Sequence, residues 1–483
     1  MGMAEAIPFF HGCERKRGPV ERIIAGFAGM ASSGIIVPRL GTLGKAGIAG
    51  GIDLKGDFFH RVLPNGVEAY VYPAGKFKTF TVKVLLYNML ARETVTPTAL
   101  IPMVLRRGCK GFETNTLIAR HLDSLYGARF GAGVVKVGER QVIQIDLEIP
   151  NERFLQVDDD LLRRGMAFLK RILTEPVTET SEGKTSFTKA YVDQEKDVLA
   201  REIASIVNEK ARYAMIRCIQ EMCSSEPFGM HELGFPQDIP GIEGCGLYDL
   251  YSSLVRKAPI EVYIVGDVDE ARAFDLVAQT FDFPREGTME LPPPRMVEAP
   301  DSPRVIMERQ DVTQGKLCLG FRTGVACTDP EFYPMLFYDG VFGSFVHSKL
   351  FVNVREKAGL AYYASSYYNA PKGLLLVSSG IDSEKYSQAL DIIQQQVEDM
   401  RNGRISDSEM DFTRKAIVNR LRSWEDSPST KIMSFVELNS AGRTEGLKER
   451  LERVAGVTKD QVVEVARKVR LDTVYFLTGK EAR

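Results

Sequence analysis

Apolar and polar positions alternate with a period of two through Phe59 to Val71, FHRVLPNGVEAYV, and the run is broken by Asn65-Gly66. An Asn-Gly step between two alternating runs predicts a β-hairpin. Thr79–Tyr87 continues the alternation as a third strand. The pattern then changes to a helical one. Thr96 and Pro97 suit the N-cap and first-turn positions of a helix, and Gly108 suits its end. A second helix is predicted from Asn115 to Tyr126, closed by Gly127. Strands follow at Ala128–Val137 and Gln141–Ile149. Helical periodicity occupies Glu152–Leu173, Phe187–Asn208, Tyr213–Cys223 and Gly246–Lys257, and Ile260–Val265 reads as a strand.

A Pro-rich, charged stretch from Pro284 to Arg304 reads as an extended linker. After it the order begins again. Strands are predicted at Arg304–Met307, Gly315–Arg322, Ala361–Tyr368 and Leu374–Ile381, with two helical stretches between Pro334 and Arg355. Helices follow at Lys385–Asn402 and Ser408–Trp424, the second opened by a Ser406/Glu409 capping box. Helices near Ile432–Ala441, Leu447–Val454 and Lys459–Val469 lead to a closing strand, Val474–Thr478. The strand blocks IEVYIVGDVD and DTVYFLTGKE correspond, as do VIQIDLEIP and LLLVSSGID. The chain therefore reads as a duplication, α+β in class, with helices packed on one face of a sheet in each copy. The expected division is 1–52 as a leader, 53–283 as the first domain, 284–303 as a linker and 304–483 as the second domain.

Composition narrows the function classes. The chain has 483 residues, 44% of them hydrophobic and 26% charged, with a net charge of −2. That is the profile of a globular protein with no electrostatic pull toward nucleic acid or an anionic membrane. Seven cysteines without a C-x-x-C pair fit a reduced, cytoplasmic setting. Residues 1–52 place a basic stretch before a Gly/Ala-rich apolar run, Ile23 to Val37, followed by Pro38 and Arg39. The run is too short and dilute to span a bilayer. It reads foremost as a disordered or mis-assigned leader, with a membrane-adsorbing or export segment, or a folded piece, as the other readings.

The segment Thr96 to Gly108, TPTALIPMVLRRG, resembles the zinc helix of the insulinase-like (pitrilysin, M16) metallopeptidases, which write His-x-x-Glu-His before a Gly. Counting back from Gly108, those positions hold Ala99, Pro102 and Met103. Ala and Pro cannot ligate zinc, and a thioether is a poor substitute for imidazole. Pro102 in a helix interior also predicts an altered helix shape. The second-half stretch FGSFVHSKLFVNVREKAGLAYYASS, Phe342 to Ser366, is similar to the family's small-residue loop, its Arg-Glu helix end and its Gly-Leu-Ala-Tyr strand entry. LPNGV and VGDVD add weaker matches, and the likeness runs over roughly residues 55–480. KFKT and HLDSLYGA resemble most a bacterial inactive-subunit subset, the YfmF-like proteins.

The resemblance implies a LuxS/mitochondrial processing peptidase-like fold of two homologous domains. It implies that Glu202 stands at the third zinc-ligand position, with Glu195, seven residues earlier, as its neighbour. On a helix that spacing places both carboxylates on one face. The alternative is a solvated face salt-bridged by Lys196, Arg201 and Lys210. The resemblance further implies that Arg355 and Tyr362 reach a peptide held on a partner's zinc site, Arg355 gripping and Tyr362 donating to a developing oxyanion. Tyr363 is the adjacent alternative, on the opposite strand face. The alternative for the pair is structural, with Arg355 bound to Glu356 or a neighbour and Tyr362 in the core. His121, His231 and His347 read as structural residues, with a place along the shared cleft as the alternative for His347, and Cys109 reads as an inert buried thiol.

Three functions follow. The first is a non-catalytic subunit of a heteromeric zinc peptidase. It has no metal of its own and a zinc-bearing M16 homologue as heterodimer partner, the two closing on unfolded peptide. For the bacterial subset the resemblance carries an association with elongation factor P modification. The second is an inert peptide-binding scaffold. The third is an enzyme with some other metal site.

Overall fold

A computed structural model describes residues 52–181 and 183–479. The leader reading falls outside the described residues, save Ile52. The strands are β1 (Asp53–Lys55), β2 (Phe58–Val62), β3 (Glu68–Pro73), β4 (Thr79–Met89), β5 (Arg129–Val137), β6 (Arg140–Pro150), β7 (Thr178–Ser181), β8 (Lys184–Phe187), β9 (Ile260–Gly266), β10 (Arg304–Gln310), β11 (Gly315–Arg322), β12 (Ala361–Asn369), β13 (Leu374–Ile381) and β14 (Arg470–Gly479). The predicted hairpin is β2–β3, with Phe59 opposite Val71. Its turn uses Gly66 at φ 80°, a conformation that only glycine adopts without strain. The Asn65 side chain accepts from the Val67 N–H and donates to the Phe283 carbonyl, tying the turn to the end of the first half.

The duplication is visible in the topology. The first sheet runs β1-β2-β3-β9-β4-β6-β5 and the second β10-β14-β11-β13-β12. Removing β1 and β2 leaves the same order in both. Pairing matches as well: β3/β9 and β10/β14 are parallel, whereas the next three pairs in each sheet are antiparallel. The short β1, the β7–β8 hairpin, exposed along β7 and ending in the buried Phe187, and the Glu270–Thr280 helix, which follows β9 within a few residues, lie outside the elements expected from the sequence.

Helix cover differs from the expectation. Every residue of β9 is buried, so both faces of the sheet are covered. One face of each sheet packs on helices of its own half. The other face is covered by a helix from the opposite half. Ile432, Phe435 and Val436 of the Pro428–Asn439 helix pack on Tyr70, Leu85 and Tyr263 of the first sheet. Ala214, Cys218 and Met222 of the Lys210–Met222 helix pack on Cys318, Leu376 and Tyr475 of the second.

The β5–β6 and β12–β13 hairpin tips, equivalent in the two copies, meet at the junction. Lys372 is 1% exposed, and its ammonium donates to Glu139 and Glu226, each at 2.7 Å. Arg322 continues the chain of charges to Glu226 at 2.6 Å and to Asp472 at 3.0 Å. Burial alone would raise the Glu226 carboxyl, but the Arg322 and Lys372 hydrogen bonds hold it below its usual range.

Candidate functional site

The segment that resembles a zinc helix spans Val95–Leu105, and Thr94, not Thr96, is its N-cap. Thr96 is buried inside the first turn and is used elsewhere. Its hydroxyl accepts from the Phe235 N–H at 3.0 Å and donates to Asp238 at 2.8 Å. Pro102 lies within the helix, which continues as one element past it, the Arg106 N–H reaching the Pro102 carbonyl at 3.2 Å. Ala99, Pro102 and Met103 are all buried, and Ala99 and Met103 belong to the first-half core. A methyl, a ring and a thioether offer no donor set for Zn²⁺, so the family's metal does not fit these positions.

The Lys189–Ser205 helix packs against this segment, as a zinc site would require. Its two carboxylates part company. Glu195 is buried, whereas Glu202 is exposed. The three cations expected to surround them bond elsewhere. Lys196 donates to the Pro240 and Ile242 carbonyls, Arg201 to the Asp197 carbonyl, and Lys210 to Gln310. The partner of Glu195 is Arg107, through its Nε. Only tertiary packing marks Arg107 out, because in sequence it is one of two arginines before a glycine.

In the second half the two expected helical stretches are the Phe332–Asp339 helix, continued by a wider π-type turn at Gly340–Ser344, and a π-type turn at Phe351–Lys357. A side chain at Gly343 would meet Ser366 Oγ at 2.5 Å and Leu350 Cδ1 at 2.7 Å, which accounts for the small residue in this loop. Arg355 ends the second turn, half-buried, with its guanidinium 4.6 Å from the centre of the Phe351 ring. Among the described residues it makes no ion pair with Glu356.

Tyr362 lies on β12, the edge strand of the second sheet. The register steps from Ala361 opposite Ile381 to Tyr363 opposite Gly380, which leaves Tyr362 as the extra residue of a β-bulge. Such a bulge re-aims a side chain, and Tyr362 is 75% exposed. The core alternative for Tyr362 does not hold; Tyr363 is half-buried on the opposite face. The Tyr363 ring lies under Lys316, Ser378 Oγ donates to its hydroxyl at 3.4 Å, and burial pushes its phenol up to about 12.

The histidines are structural. His121 packs between Phe112 and Phe168, with its pKa lowered by burial and then by Arg164 and Arg171. His231 accepts from the Leu233 N–H, and His347 bonds Thr413 and stacks on Phe345. His60, hidden in a strand pattern, bridges Asp53 at 2.6 Å and Glu68 at 2.8 Å. Among the described residues no group of three or more His, Cys, Asp or Glu side chains could hold a metal ion.

Comparison with known proteins bears directly on this geometry. The chain is 36% identical over 420 residues, 86% of its length and 96% of the relative's, to the probable inactive metalloprotease YmfF of Bacillus subtilis. The chain belongs to the M16 peptidase family, as an inactive-type member. The family description matched at residues 246–417 is the peptidase M16 inactive domain, and it includes the loop, turn and strand that carry Arg355 and Tyr362. The uncharacterized zinc protease YmxG of Bacillus subtilis is 21% identical, over 59% of this chain and 69% of its own. A conserved protein of Enterococcus faecalis V583 has the same architecture at a TM-score of 0.79 and 28% identity, with 89% of this chain and 100% of that one covered. The M16 inactive domain structure from Pseudomonas fluorescens superposes at 0.71 with 15% identity, over 88% and 99% of the two chains. In this M16 chain no described helix is long and apolar enough to cross a membrane.

Proposed function

We propose that the chain is the non-catalytic subunit of a heteromeric M16-type zinc peptidase. In this reading a zinc-bearing M16 homologue supplies the metal, and the chain lends Arg355 and Tyr362 to the peptide held there. The observation that carries it is the bulge on β12. It aims a tyrosine hydroxyl into solvent from an edge strand, where a core role is absent and a donor role is open. Arg355, stacked but not ion-paired, keeps its donors free for a backbone carbonyl or carboxylate. The zinc protease YmxG and the inactive YmfF, both relatives of this chain, occur in one organism, which supports a division of labour between two kinds of chain. We assign the pair to a cytoplasmic heterodimer acting on unfolded peptide. The elongation factor P association of the bacterial subset touches no residue of this site.

The test is reconstitution. The purified chain is mixed with a zinc-bearing M16 homologue from its own source, and cleavage of an unfolded peptide is followed. Activity is expected only in the mixture, lowered roughly 10- to 100-fold by Tyr362→Phe or Arg355→Ala, with Tyr363→Phe as the control. Unchanged rates in both variants would remove the assigned roles. Peptide binding without turnover in any mixture would favour the inert scaffold.

A further inference from the structure

The carboxylate retained in the first half has a partner that no motif announces. Glu195 is 4% exposed, one oxygen is bonded by Arg107 Nε, and the other, Oε2, has no hydrogen-bond partner among the described residues. A carboxylate removed from water needs an opposite charge close by. In a zinc-bearing site the dication is at hand. Here Ala99, Pro102 and Met103 cannot hold one, so the counter-charge has to come from the protein. Arg107 stands one helical turn beyond Met103, just past the end of the same helix. Its guanidinium therefore reaches the Lys189–Ser205 helix from the element that would otherwise present the metal. A guanidinium stays charged at any ordinary pH and cannot be titrated away.

We propose that Arg107 is the built-in cation that takes the place of the metal. The first-half site is resealed around an ion pair as well as stripped of ligands. A dication brought toward Glu195 meets a fixed positive charge and a carboxylate already engaged. This assignment concerns the first half alone and does not depend on Arg355 or Tyr362.

Two full-chain variants test it by zinc content after dialysis against buffered Zn²⁺. One carries Ala99→His, Pro102→Glu and Met103→His; the other adds Arg107→Ala. With Arg107 kept, the restored ligands are expected to hold at most about a tenth of an equivalent. With Arg107 removed, the two new imidazoles and Glu202, with Glu195 freed beside them, are expected to hold about one equivalent. Equal zinc in both variants, or none in either, overturns the proposal. A second measurement needs no metal. Arg107→Ala is expected to lower the urea midpoint of unfolding, and Glu195→Gln in that background to restore most of the loss. Absence of that rescue overturns it as well.

Discussion

Replacing Lys372 by Met would test how the two halves are held together. The side chains are similar in length, so the change removes a charge and three donors while nearly keeping volume. Lys372 Nζ has no exposed surface and joins Glu139 and Glu226, each at 2.7 Å, with the Arg295 carbonyl as a third acceptor. The loss would not fall equally on the two carboxylates. Glu226 keeps Arg322 at 2.6 Å. Among the described residues Glu139 keeps only the Arg295 N–H at 3.2 Å and is left as a buried charge without a cation. Orphaning one buried charge in this way costs about 3–5 kcal/mol. That is a large part of the roughly 5–15 kcal/mol that holds a typical domain folded. The assay is equilibrium urea unfolding, followed by far-UV circular dichroism and by fluorescence of the single tryptophan, Trp424. Glu139→Gln added to Lys372→Met removes the orphaned charge and should recover about half of the loss or more. A single-variant cost under about 1 kcal/mol, or a double variant as unstable as the single, would refute the charge argument.

Further predictions concern pH, backbone and thiols. Glu68 is held at about 2 chiefly by the His60 hydrogen bond, against desolvation, with Tyr70 and Lys55 adding to the effect. Its folded pKa lies below the unfolded value, so its stabilisation is present above about pH 4.5 and lost as pH falls toward 2. Wild-type urea midpoints should accordingly fall more steeply over that window than those of Glu68→Gln, and parallel curves would count against the assignment. Gly234 has φ +76°, and a Cβ there would lie 2.6 Å from Thr96 Cα, so Gly234→Ala should cost about 1–3 kcal/mol in the same assay. Cys109 and Cys318 are buried and each is pushed up to about 12 by desolvation, whereas Cys245 is half-exposed. Under native conditions a thiol reagent should label Cys245 and leave Cys109 and Cys318 unmodified; fast labelling of Cys109 would contradict its burial.

The sequence by itself determined what depends on local periodicity and residue chemistry. The β2–β3 hairpin follows from Asn65-Gly66, the start of the Asp407–Trp424 helix from its Ser406/Glu409 box, and the duplication from repeated strand blocks. Ala99, Pro102 and Met103 exclude a zinc donor set by chemistry alone, wherever the helix lies. The tertiary structure decided whatever depends on partners distant in the chain. It placed Glu195 in the interior and Glu202 in solvent, although both stand on one helix at a spacing that suggested equivalence. It gave Glu195 to Arg107, and it used Thr96 to tie down a loop more than a hundred residues away instead of capping a helix. It exchanged helices between the halves, so that each sheet is covered on its second face by residues encoded in the other copy. Tyr362 and Tyr363 are neighbours of one chemistry. A one-residue bulge sends the first into solvent and the second against Ser378, because strand register is set by pairing across the sheet and not by the residues alone.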